Sequence, residues 1–192
     1  MRPRMAVQEP FTSVLAAARV GAEWAITALY REFHPPLLRY LRAQAPAHGD
    51  DLASEVWLGA AASLARFEGD ATDFRRWLFT IAHRRLVDLR RADARRRAFL
   101  TRLESSHDSR GDTDPEVSVL AASETDVALM RIGRLSPDQA QVVLLRVVAG
   151  LTVEDVAAIV GKNPGTVRVL QHRALKRLAE ELAREREAVV TQ

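Results

Sequence analysis

Apolar residues recur at helical spacing through most of the chain, with polar and charged residues between them. After a non-periodic start containing Pro3 and Pro10, Val14, Leu15, Ala18, Ala22, Ala25, Ile26 and Leu29 fall on or near one stripe and predict a first helix. Pro35 and Pro36 are expected to end or kink it, because proline lacks an amide donor and clashes with the preceding turn; Leu37, Leu38 and Leu41 resume the pattern. Asp50 or Asp51 is placed to cap a helix whose apolar positions Leu52, Val56, Ala60 and Leu64 recur every four residues. Gly69 and Asp70 break that helix. Thr72 or Asp73 can open the next, which carries Phe74, Trp77, Leu78, Ile81, Leu86 and Leu89 into an arginine-rich end.

The stretch ESSHDSRGDTDP at 104–115 has linker composition, and a second periodic region follows from about Ser123. Ser136-Pro137-Asp138-Gln139 is a capping sequence for a helix with Ala140, Val143, Leu144 and Val147 on its apolar side, stopping at Gly150. Thr152 caps a short helix with Val156, Ile159 and Val160, ending at Gly161. Asn163-Pro164 begins the last helix, which passes Leu182. A helix as short as the middle one is unstable alone and must be held by its neighbours. A short helix, a glycine turn and a longer basic helix are the parts of a helix-turn-helix. The expected fold is therefore all-α: a helical domain at 13–97, a flexible acidic linker at 98–122, and a helix-turn-helix domain at 123–185.

Charge is segregated along this frame although the formal net charge is only +3. Arg84 to Arg97 holds seven arginines against two acids, whereas Leu103 to Asp126 holds seven acids against one arginine. Lys162 to Leu178 holds five basic residues and no acid. Two basic helices separated by an acidic spacer suggest two polyanion-facing surfaces on a tether. The apolar content of 47%, supplied mainly by Ala, Leu and Val, excludes a wholly disordered chain. The absence of cysteine excludes disulfides, thiolate catalysis and cysteine-liganded zinc. No run reaches the roughly 18 apolar residues of a membrane span, so no membrane insertion is expected and the cytoplasm is the expected compartment. The histidines show no metal or acid/base spacing and there is no phosphate loop, so no catalytic residue, metal or cofactor is expected.

In the last helix Val167, Leu170, Gln171, Ala174 and Leu178 gather on one side, with Arg168, Val169, His172, Arg173 and Lys176 round the other. Arg168, Val169 and His172 are the candidates for base edges, and Lys162, Arg173, Lys176 and Arg177 for phosphates. A merely solvated basic face is the alternative, and Thr166 fits a local cap as well as a phosphate. In the first module Arg76, Arg84 and Arg91 share a helix side suited to phosphates. Trp77 fits either a core position or a base platform, and Asp88 fits a local ion pair as well as a nucleic-acid contact. The acids at 50–55 with Trp57 suit a protein-binding face, or equally a solvated helix start over a core tryptophan.

These residues together resemble a bacterial sigma factor of the extracytoplasmic-function group, in the sigma-70 superfamily. The resemblance runs through LYREFHPPLLRYL at 29–41, DDLASEVWLGA at 50–60, FRRWLFTIAHRRLVDLRR at 74–91 and the block from Leu135 to Leu178. Ser54, Arg84 and Gly165 depart from residues usual in that family. The resemblance implies a transcription initiation factor with no catalysis of its own. It implies docking on the clamp helices and flap of the large subunits of core RNA polymerase, with Asp51, Leu52, Glu55, Val56 and Trp57 in the clamp-binding stretch. It implies capture of the melted non-template strand of the −10 element around Phe67, Asp73, Arg76, Trp77, Arg84, Arg85, Asp88 and Arg91. It implies reading of the duplex −35 element by the last helix, and control by an anti-sigma factor. A conventional helix-turn-helix regulator would account for the second module but leave the first arginine helix without a role.

Overall fold

The computed structural model describes residues 10–104 and 124–190, all of whose regular structure is helical. Most of the expected linker at 98–122 lies outside the described residues. The first cluster contains α1 (Phe11–Arg19), α2 (Glu23–Gln44), α3 (Gly49–Ser63) and α4 (Ala71–Glu104), with single 3-10 turns before and after α3. The second contains α5 (Glu124–Gly133), α6 (Pro137–Val147), α7 (Val153–Val160) and α8 (Pro164–Val190).

Several boundaries differ from the sequence-based expectation. The predicted first helix is two helices, broken at Val20–Ala22 so that α1 folds back beside α2. Pro35 and Pro36 neither end nor kink α2, which runs through both. Their missing amides deprive only the carbonyls of Arg31 and Glu32, both exposed and open to water. Meanwhile Phe33, Leu37 and Leu41 hold the buried side of the helix. Neither Asp50 nor Asp51 caps α3: His48 occupies the cap position with no side-chain bond, and the two acids fall in the first turn, where they favour the positive helix end. α4 is opened by Asp70, not Thr72 or Asp73. The Asp70 carboxylate accepts from the amides of Thr72 and Asp73 at 2.7 and 2.9 Å, and the Asp73 carboxylate accepts from the Asp70 amide at 3.2 Å. α4 also continues past residue 97, into the segment expected to be linker.

The core of the first cluster is built from Phe33, Leu37, Tyr40 and Leu41 of α2, Val56 of α3, and Phe74, Leu78, Phe79 and Leu86 of α4. In the second cluster the expected caps form. Ser136 and Gln139 make a capping box on α6, and Thr152 and Asp155 make one on α7. Gly161 ends α7 at φ +65°, a left-handed conformation that costs glycine little and a side-chain-bearing residue more. α8 starts where the Asn163 side chain accepts from the Thr166 amide at 2.7 Å. Val147 is 64% exposed, contrary to its expected place on the apolar side of α6, whereas Gln141 on the same helix is buried. The clusters touch: α5 and α6 lie against α2, and α7 lies against α4.

Candidate nucleic-acid interface

α8 displays the division expected of it. Val167 and Ala174 are buried and Leu170 and Leu178 half-buried, while Arg168, His172, Arg173 and Lys176 are exposed and Val169 stands 47% exposed among them. Gln171 is fixed on the inner side, accepting from Arg146 Nε at 3.2 Å; Arg146 also donates to the Leu151 carbonyl, tying α6 to the turn before α7 and to α8. Sequence reasoning missed this buckle, because an arginine in a helix gives no sign of which distant carbonyl it will meet. Lys162 pairs with Asp138 at 2.9 Å and Arg168 with Glu154 of α7 at 3.0 Å. Both pairs are at least partly exposed, so each contributes at most about 1 kcal/mol and yields readily to a phosphate or a base edge. The Thr166 hydroxyl and amide both bond Asn163, which is the local cap.

On α4 the structure gathers Phe67, Asp73, Arg76, Trp77 and Arg84 around one cleft of about 400 Å³, with Arg66 and Glu68 on its rim. Phe67 is buried, its ring centroid 4.9 Å from Trp77 and 5.4 Å from Phe74. Phe67 therefore forms the floor of the cleft and cannot stack on a base, whereas Trp77 is only half-buried and flanks the open space. Asp73 serves its own helix and pairs with Arg76 at 2.8 Å. Arg85 is not brought to the cleft: it points toward α3, 3.7 Å from Glu55. Asp88 and Arg91 are exposed one and two turns beyond Arg84 on the same helix side.

Gly69 shapes the entrance to this cleft. Its φ is +139°, and a Cβ there would lie 2.6 Å from the Asp73 Cβ, so any side chain forces the capping carboxylate aside. Gly69→Ala is expected to cost about 1–2 kcal/mol and to fray the first turn of α4, seen as faster amide exchange at Thr72 and Asp73.

In the stretch 51–57 the residues divide by exposure. Leu52 and Val56 are core residues and cannot meet a partner; their part is to hold α3 in place. Asp51 and Glu55 are exposed. Trp57 is half-buried, donating from Nε1 to His34 Nδ1 at 3.3 Å, with Tyr30 at 5.2 Å between centroids. Leu58 on α3, Trp24, Ile26 and Tyr30 on α2, and Val20 in the turn between α1 and α2 add exposed apolar surface. That apolar face was not legible beforehand, since the break after α1 creates it.

Two histidines are held neutral. Burial lowers the pKa of His83, helped by Arg90 and Arg84; burial also lowers that of His34, with Asp50 opposing and Arg42 assisting. A histidine whose folded pKa lies below its unfolded value leaves the unfolded chain binding more protons as acid is added. Stability is thus expected to be level above neutrality and to fall as pH drops below about 6.5. Urea titrations across that range check this, and His83→Gln should shallow the slope.

Among the described residues no group of histidines and carboxylates could hold a metal ion, and no helix is long and apolar enough to cross a membrane. Residues 29–96 match the Sigma-70 region 2 family and residues 126–178 match Sigma-70, region 4. Over 187 residues the chain is 33% identical to the ECF RNA polymerase sigma factor SigD of Mycobacterium tuberculosis, covering 94% of this chain and 88% of that protein. The chain belongs to the ECF RNA polymerase sigma factors. As a sigma factor it is a DNA-binding transcription initiation factor and not an enzyme. ShbA of Streptomyces griseus, another ECF sigma factor, is 33% identical over 159 residues, covering 78% of this chain and 83% of its own. Two solved structures share the fold, both with a TM-score of 0.58. CnrH, in complex with the cytosolic domain of CnrY, is 21% identical and covers 90% of this chain and 97% of its own. RpoE of Bartonella quintana, in complex with the anti-sigma factor NepR, is 24% identical and covers 82% and 96%.

Proposed function

We propose that this ECF sigma factor recognises promoters with two separate surfaces while a third holds core RNA polymerase. α6 to α8 form a helix-turn-helix whose last helix enters the major groove of the −35 element. Arg168, Val169 and His172 meet base edges, and Lys162, Arg173 and Lys176 meet phosphates. The Arg76 and Trp77 cleft receives a base of the melted non-template −10 strand, with Arg84 and Arg91 following its backbone. The face around Asp51, Glu55 and Trp57 docks on the polymerase clamp helices, and the second domain meets the flap. The same docking face is where an anti-sigma factor would silence the protein; one structural relative, RpoE of Bartonella quintana, is itself bound to an anti-sigma factor.

The observation that carries this reading is the exposed side of α8, where cationic and apolar groups stand together and every acid falls outside 162–178. Opening a duplex costs several kcal/mol, which captured bases and phosphate contacts offset. Tethering two modest contacts raises the effective concentration of the second once the first is made. Substitutions on α8 test the assignment. With DNA fragments that the holoenzyme protects from nuclease, Arg168→Ala is expected to relax preference at one base position and weaken binding by about 1–3 kcal/mol. Arg173→Ala is expected to weaken all sequences alike and lower the salt slope by about one. Equal, sequence-independent losses from both would remove the base-reading role.

A further inference from the structure

The docking face carries three interlocked rings. Tyr30 and His34, one turn apart on α2, stack with centroids 4.3 Å apart and planes 14° from parallel. Trp57, on α3, lies 5.2 Å from Tyr30 and donates from Nε1 to His34 Nδ1 at 3.3 Å. An indole N–H can only donate, so Nδ1 must offer its lone pair, and His34 is neutral with its proton on Nε2. Nε1 is also the indole's one polar atom. Its bond fixes the rotation of the half-buried ring, whereas ring-face contacts such as that with Tyr30 let it slide. The surroundings favour the neutral form. Burial lowers the pKa of His34, Asp50 at the start of α3 opposes, and Arg42 on α2 assists. Asp50 and Arg42 also pair with each other at 2.8 Å, which limits the pull of either on the ring. Tyr30 stacks on a neutral or a charged imidazole alike.

We propose that His34 is a positioning residue for polymerase docking: its neutral ring holds the Trp57 indole in the orientation presented to core RNA polymerase, and protonating that ring releases the indole and weakens the complex. The inference rests on the assignment of Trp57 to the polymerase face. Protonation sets a second N–H against the indole N–H, two donors with no acceptor between them, so the indole turns away. An anchor that is loose beforehand has to be ordered on binding, which lowers affinity without removing any contact surface. The sign follows from linkage. Docking requires the neutral ring, so a complex formed at low pH must first release a proton, and affinity falls as pH drops through the pKa of His34, which lies below the ordinary 6.5. Asp50, whose carboxyl is held below the usual carboxylate range by its hydrogen bond from Arg42, keeps its charge throughout.

The test has one arm on the chain alone and one with polymerase. In heteronuclear NMR spectra of the isotopically labelled full chain, the Trp57 indole resonance, identified by its loss in Trp57→Phe, and the His34 ring signals are expected to titrate together, with a shared midpoint below 6.5. Affinity for core RNA polymerase is followed by fluorescence anisotropy of the end-labelled chain, at pH values where circular dichroism shows it folded. It is expected to fall about fivefold from about pH 8 to about pH 5, the worth of one hydrogen bond. His34→Asn sets an amide oxygen, which does not titrate, near the place of Nδ1 and should hold near-native affinity with a flat profile. His34→Ala should bind about fivefold more weakly at high pH, and should add nothing in the Trp57→Phe background, where there is no N–H to hold. An indole resonance that stays still as His34 protonates, or the same fall in affinity for the native chain and His34→Asn, would overturn the positioning role; a loss of docking in Trp57→Ala would then leave the face assignment standing. Full affinity in Trp57→Ala would overturn that assignment and this inference with it.

Discussion

Replacing Phe74 with alanine is expected to lower the stability of the first cluster by about 3–5 kcal/mol, the range for removing a buried aromatic ring. The ring is 1% exposed and lies within 4.8 to 5.8 Å of Phe33, Phe67, Trp77 and Phe11, centroid to centroid. Four aromatic neighbours cannot close over the void, so the lost transfer and the cavity add. A domain stable by about 5–15 kcal/mol would be left marginal. Urea unfolding followed by far-ultraviolet circular dichroism checks the expectation, with the midpoint shifted and the slope unchanged. Phe74→Leu should recover much of the loss, since it refills most of the volume. Because Phe74 and Phe67 form the support beneath Trp77, the alanine variant should also loosen the cleft before the chain unfolds.

The second large effect is expected at Trp57. Its indole is half-buried, anchored by its bond to His34 and backed by Tyr30, so a flat aromatic edge is presented with little freedom left to lose on binding. Such residues dominate interfaces. Trp57→Ala is expected to weaken binding to core RNA polymerase by about 2 kcal/mol or more, roughly 30-fold. It should leave DNA contacts of the isolated chain unchanged. Leu52→Ala, by contrast, should act through stability, because Leu52 is buried and cannot touch a partner. Comparing denaturation midpoints with polymerase affinity for the two variants separates contact from support.

Much of the second cluster was legible in the sequence because its signals are local. Ser136 with Gln139, Thr152 with Asp155, and Gly161 each act within four residues, and each element begins or ends where those residues place it. The cationic side of α8 follows from helical periodicity alone. The first cluster was less legible. The stripe from Val14 to Leu29 continues across Gly21 as though no break existed, since an apolar residue looks the same on one helix or on two packed together. Pro35 and Pro36 signal an end locally, but Phe33, Leu37 and Leu41 keep the helix through tertiary burial. The exposure of Val147 and burial of Gln141 likewise depend on which surface meets α2. Of the candidate site, Leu52 and Val56 already lie on the apolar stripe of their helix and are buried as that stripe implies, whereas Phe67, just outside a helix, gives no sign in the sequence that it faces inward. The Arg76–Asp155 contact joins residues 79 apart, and nothing in either neighbourhood announces the other.

A chain that places core RNA polymerase at promoters through three surfaces must direct transcription from defined sites. The most direct measurement adds the purified chain to core RNA polymerase on genomic DNA and maps the 5′ ends of the transcripts. Starts absent with core alone should emerge, sharing two upstream elements, and Trp57→Ala and Arg168→Ala should each diminish them. A folded, inhibitor-free chain that neither binds core nor directs a new start would contradict the account.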